Sequence, residues 1–149
     1  MTEQVIPEKV WLSIKGTVAH DGEESDVMEL LTEGIRSGKA DSCSLAYDES
    51  EISGMEGTRT TVQVNGQKVS IIRLGSVNSL MEFESGKRSV TMYSTPEGDI
   101  SMGITTRGID IDYDESRRPS RVKVDYNIEM KGIGETDNTI DIQVKDLKN

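Results

Sequence analysis

Arg73 is the residue best placed to do chemistry in this chain. It falls in Lys68–Leu74, where it shares an alternating parity with Val69 and Ile71, so its guanidinium is expected on the side those aliphatic chains occupy. An inward guanidinium must find a carboxylate or carbonyls. Acids for it come from the stretch Tyr47–Thr61, Y-D-E-S-E-I-S-G-M-E-G-T-R-T-T, with Glu56 the first expected partner and Glu33 the second. One reading is a buried ion pair that fixes strand register. The other is an anion-recognising interior, in which Arg73 meets a ligand carboxylate or phosphate. Tyr47, Met81, Phe83, Tyr93 and Met102 would then form the walls. An enzyme reading uses Glu51 or Glu56 as a general base near Arg73. Ile72 and Leu74 are apolar too, so parity alone leaves the direction of Arg73 open.

Other reactive constellations are poor. The single histidine, His20, sits in a predicted turn beside Asp21 and Gly22, and no glycine–any–serine–any–glycine elbow accompanies it. Cys43 alternates with Leu45 and Tyr47, which marks a core thiol and not a nucleophile. One histidine and one cysteine cannot furnish the three or four ligands of a zinc site. The acidic sets Asp21/Glu23/Glu24/Asp26 and Asp110/Asp112/Asp114/Glu115 lack EF-hand spacing, and the second alternates with Ile109, Ile111 and Tyr113 as a solvent face does. Gly54 and Gly57 enclose Glu56 instead of a phosphate-binding lysine. No metal and no cofactor is expected, and an enzyme is the less favoured expectation.

Composition narrows the partners. The 149 residues suit one domain over 1–149, with an ordered core of about 9–145 that needs no disulfide or metal to hold it. A net charge of −10 repels phosphate backbones, and the acids from Asp110 to Glu115 offset the basic run at Arg117, Arg118 and Arg121. Nucleic acid is therefore not an expected partner. No stretch approaches the roughly 18 apolar residues of a membrane helix. A lone cysteine and the polar start Met1-Thr2-Glu3-Gln4 lead to the expectation of a soluble, cytoplasmic protein.

The elements that must position Arg73 read as strands. Val10, Leu12, Ile14 and Val18 share a face in Lys9–Ala19, with Trp11 on the polar side; Thr58, Thr60, Val62 and Val64 share one further on. In Val27–Arg36 the residues Met28, Leu30 and Leu31 crowd both faces. Asn65-Gly66 predicts a type I′ hairpin, and Thr95-Pro96-Glu97-Gly98 predicts a turn with proline presetting φ. Ile100, Met102 and Ile104 sit on even positions, but Ile109, Ile111 and Tyr113 on odd ones. Such a phase change predicts a β-bulge or sharp bend at Arg107-Gly108. The last two segments, Val122–Met130 and Ile140–Val144, alternate cleanly.

About 8–10 strands with short turns predict an all-β, up-and-down antiparallel barrel with little helix, a sandwich being the second choice. Closure removes the open edges of such a meander. A barrel of this size is filled by side chains or holds one small ligand. Seven methionines against one phenylalanine suit an adaptable interior.

The motif order also resembles a known family. E-S-E-I-S-G-M-E-G-T-R-T-T after Tyr47, R-L-G at Arg73–Gly75, M-E-F-E at Met81–Glu84 and Y-S-T-P-E-G at Tyr93–Gly98 are similar to the YwiB-type family. These are bacterial proteins of unknown function, grouped with the calycins as lipocalin-like β-barrels. The resemblance implies that fold in a bacterial cytosol and carries no established activity. The glycine–any–tryptophan signature of secreted lipocalins is missing, since Lys9 and Val10 precede Trp11. A binding module for a small organic anion, or for a partner protein at the barrel mouth, is the leading expectation. A carboxylate-dependent hydrolase or isomerase, or a structural interaction protein without ligand, is the alternative. Open edge strands would point to a homodimer formed by strand addition.

Overall fold

Period-two alternation, read from the sequence as strands, produces strands throughout this computed structural model, which describes residues 7–20, 23, 25–39 and 42–146. Asp21, Gly22 and Glu24, from the predicted first turn and its acidic set, lie outside the described residues. The elements are β1 (Glu8–His20), β2 (Asp26–Lys39), β3 (Ser42–Asp48), β4 (Arg59–Asn65), β5 (Lys68–Leu74) and β6 (Ser79–Phe83). There follow β7 (Arg88–Thr95), β8 (Gly98–Tyr113), β9 (Pro119–Met130) and β10 (Gly134–Asp146). No helix occurs among the described residues.

Every ladder is antiparallel, and the spatial order is β6-β5-β4-β3-β2-β1-β10-β9-β8-β7. Neighbours in space are neighbours in the chain, except where β1 meets β10. That pairing runs from Val10↔Asp146 to His20↔Thr136 and brings the two ends of the meander together. The remaining gap lies mid-chain, between β6 and β7. It is bridged at Asn78 and Ser94, whose main chains exchange two hydrogen bonds of 2.9 Å. The result is a nearly closed barrel.

Local devices shape the strands. Register shifts between Thr106↔Tyr126 and Gly108↔Asp125, so Arg107 is the extra residue of the bulge that the parity change predicts. The Asn65-Gly66 expectation is corrected by one position. Asn65 pairs with Lys68, leaving Gly66 and Gln67 as the central pair, and Gly66 alone has positive φ, at 62°. This is the type II′ pattern. Asn65 is free to accept the Ser42 hydroxyl through its side chain at 2.8 Å. In β2, Met28 and Leu30 turn to the core while Leu31 stands 65% exposed, which resolves the crowding of both faces.

The inward rows fill the centre of the barrel. Leu12, Ile14, Leu45, Ile71, Phe83, Met102, Ile104 and Ile142 are essentially inaccessible. Each contributes roughly 1.5–3 kcal/mol through removal from water. Phe83 and Tyr126 stack with ring centroids 4.8 Å apart, tilted by 57°. Gly34 admits β1 closely; a Cβ there would lie 2.4 Å from Leu12 Cδ1 and 2.8 Å from the Ala46 carbonyl oxygen.

Candidate functional site

Strand register gathers four polar side chains into one interior row at one end of the barrel. Tyr47 on β3 pairs with Thr60 on β4, Thr60 with Arg73 on β5, and Arg73 with Ser79 on β6. Glu49 extends the row, because its amide donates to the Thr58 carbonyl at 2.8 Å and continues the β3–β4 pairing past Asp48. With the parity of Tyr47, its side chain turns inward and is 1% exposed.

The carboxylate of Glu49 organises this cluster. Its Oε2 accepts the Thr60 hydroxyl at 2.5 Å and lies 3.7 Å from Arg73 Nε. The Tyr47 hydroxyl sits close enough to Glu49 and Thr60 to feel both. Burial, reinforced by the Glu49 charge and opposed by Arg73, pushes the Tyr47 phenol well above its ordinary range. Burial raises Tyr126 too, again opposed by Arg73. Of five buried side-chain polar atoms without a hydrogen-bond partner among the described residues, three fall in this row, Glu49 Oε1, Arg73 Nε and Ser79 Oγ; the others are Thr106 Oγ1 and Arg118 Nε. Unpaired buried polar atoms are costly, and their concentration beside one guanidinium marks the spot.

Arg73 also lines a pocket of about 280 Å³ at this end. Tyr126, Met28, Ile140, Asn138, Thr139 and the exposed Asp26 share the lining, whose surface is chiefly apolar. A larger groove of about 730 Å³ lies on the outer surface around Arg88, Val90, Gly103 and Ile133. None of the buried unpartnered atoms lines that groove, whose charged groups, among them Arg88 paired with Glu129, are exposed.

Several expectations need correction. Arg73 does turn inward, but its partner is Glu49 and not Glu56 or Glu33. Glu56 is exposed, and only its carbonyl is engaged, accepting from Ser76 Oγ at 2.7 Å. Glu33 is exposed opposite Trp11 on the outer face. Glu51, the other proposed base, is exposed in the loop. Phe83, Met81 and Met102 are interior as expected, yet they plug the centre instead of walling a cavity; Tyr47 is buried beside Glu49, and Tyr93 is half-buried at the core margin. Met28, Ile140 and Tyr126 supply the walls. The parity of Glu49 with Tyr47 was the available signal for the missed partner.

The opposite end of the barrel is plugged by a cluster that no motif announced. Arg36, 2% exposed, donates from Nε to Glu8 at 2.6 Å and from Nη1 to Asp114 at 3.2 Å and the Pro119 carbonyl at 3.3 Å. Arg118 reaches the same Glu8 carboxylate at 2.8 Å. Arg121 instead forms a forked pair with Asp141, so the arginines of the basic run do not converge. Cys43 is buried near this plug; burial raises its thiol, against the opposing charges of Arg36 and Arg118. Among the described residues no acidic, histidine or cysteine group is arranged to hold a metal ion, and none forms a helix long and apolar enough to cross a membrane.

Comparison with known proteins agrees with this architecture. Residues 12–142 match the family described as "Domain of unknown function (DUF1934)". Over 121 residues the chain is 26% identical to the uncharacterized beta-barrel protein YwiB of Bacillus subtilis (strain 168), covering 81% of this chain and 82% of that one. The fold is similar to that in the crystal structure of ywiB protein from Bacillus subtilis, with a TM-score of 0.71 and 22% identity over 92% of both chains.

Proposed function

Because this chain belongs to the DUF1934 family of unknown function, its activity must be read from its own site, and we propose that it is a lipocalin-like small-molecule-binding barrel. The ligand would place a polar head against Arg73 and an apolar body along Met28, Ile140 and Tyr126. The observation that carries this reading is an inward guanidinium, 12% exposed and lacking a hydrogen bond at Nε, in a pocket whose surface is chiefly apolar. Such pockets bind by apolar contact and orient by a few polar groups. A buried lone thiol is in keeping with a reducing, cytoplasmic setting.

The test is a thermal-shift screen of small organic acids, amides and alcohols with apolar tails, run on the protein and on Arg73→Met. Binders should raise the melting temperature of the first and leave the second unmoved. If no compound shifts either protein, the ligand reading is lost.

A second reading, association through strand addition, is favoured by β2. Among the described residues, β2 over Asp26–Gly34 has a ladder partner on the β1 side only, since β3 pairs with Ile35–Lys39. Val27 and Leu31 stand exposed along that stretch.

A further inference from the structure

We propose that the head group bound at Arg73 is uncharged, a carboxamide in preference to a carboxylate. The inference rests on the ligand-binding reading and concerns the charge balance of the same site. Arg73 already faces the buried carboxylate of Glu49 across 3.7 Å, and among the described residues no other charged side chain is ion-paired to either. The pair is therefore close to neutral before any ligand arrives, and the exposed Asp26 in the pocket lining adds negative charge. Bringing an anion to it strips the anion of water and places it near a second carboxylate, leaving one uncompensated negative charge in a largely apolar site. An amide carbonyl accepts from the guanidinium without that penalty. Its NH₂ group can donate to the acceptors that share the pocket, Asn138, Thr139 and Tyr126.

Glu49 sets this preference without lining the pocket. Its Oε2 is held by Thr60 at 2.5 Å, and the Tyr47 phenol lies beside it. Both partners stabilise the carboxylate as the fixed counter-charge of Arg73. A site built for anions would leave its arginine uncompensated, or pair it with neutral acceptors.

The experiment compares hexanamide with hexanoate by isothermal titration at near-neutral pH, on the unaltered protein and on Glu49→Gln. The unaltered protein should bind the amide about tenfold or more tightly than the carboxylate. Glu49→Gln, which removes the counter-charge and keeps the shape, should reverse the order. Amide binding to the unaltered protein should also be insensitive to added salt, which keeps the proposal testable if the variant fails to fold. A carboxylate preference in the unaltered protein overturns the neutral-head inference and leaves the ligand-binding reading standing. Failure of both compounds to bind, together with a silent thermal-shift screen, removes both.

Discussion

Tyr47 is held in its phenol form by burial and by the carboxylate beside it, and this has a consequence for stability. The ordinary phenol value is 10.0, and the folded value is higher. The stability contributed by the neutral phenol is complete below that ordinary value and is lost as pH rises through the folded one, because the unfolded chain ionises first. Urea melts across an alkaline series should therefore show falling stability above about pH 10. Tyr47→Phe should flatten part of that limb, at a cost of about 1 kcal/mol near neutrality for the lost polar contact with Glu49 and Thr60. An alkaline limb of unchanged steepness would place the titrating group elsewhere, with Tyr126 next in line. At this scale the chain was only partly legible. The parity of Arg73 with Val69 and Ile71 suggests an inward side chain without fixing it, since Ile72 and Leu74 are apolar too, and the composition of the acid-rich stretch does not single out Glu49 over Glu56. A stretch rich in glycine and hydroxyls reads as loop throughout, whereas the β3–β4 pairing persists one step further than its composition suggests.

Among the elements, β8 offers the sharpest test. Met102, Ile104 and Thr106 are buried on even positions, and Ile109 and Ile111 pack against the core on odd ones, with Arg107 absorbing the difference. Deleting Arg107 would turn Ile109 and Ile111 to solvent or break the β8–β9 ladder, and should cost more than about 4 kcal/mol. Arg107→Ala keeps the residue count and removes only the exposed pair with Asp137, N–O distance 2.6 Å. It should stay within about 1 kcal/mol of the parent protein. Equal losses for the two variants, measured by urea denaturation, would show that the side chain and not the extra residue matters. The bulge was legible because a two-residue period can change phase in few ways. The Gly66 turn was misplaced by one position, since asparagine and glycine both tolerate positive φ and local chemistry does not choose between adjacent registers.

For the whole molecule, the open question is where sheet edges remain. The β6–β7 gap is spanned at Asn78 and Ser94, and among the described residues β2 has no second ladder partner over Asp26–Gly34. Antiparallel pairing of two β2 edges would cover Val27 and Leu31 on each copy. Analytical ultracentrifugation should then show a dimer that Leu31→Lys converts to a monomer, with the β-sheet circular dichroism retained. A monomer across the full concentration range would leave this edge without a role in self-association.

The alternation of apolar and polar residues, together with short turns, was enough to determine an all-β meander, its bulge and the burial of Cys43, because each follows from a local period and from the chemistry of single residues. Tertiary structure alone decided that the remaining gap would fall at mid-chain between β6 and β7, that Phe83 and Met102 would fill the centre instead of walling a cavity, and which acid would face Arg73. Those outcomes depend on how ten strands stagger around a common axis, which brings together residues tens of positions apart whose individual types carry no record of one another.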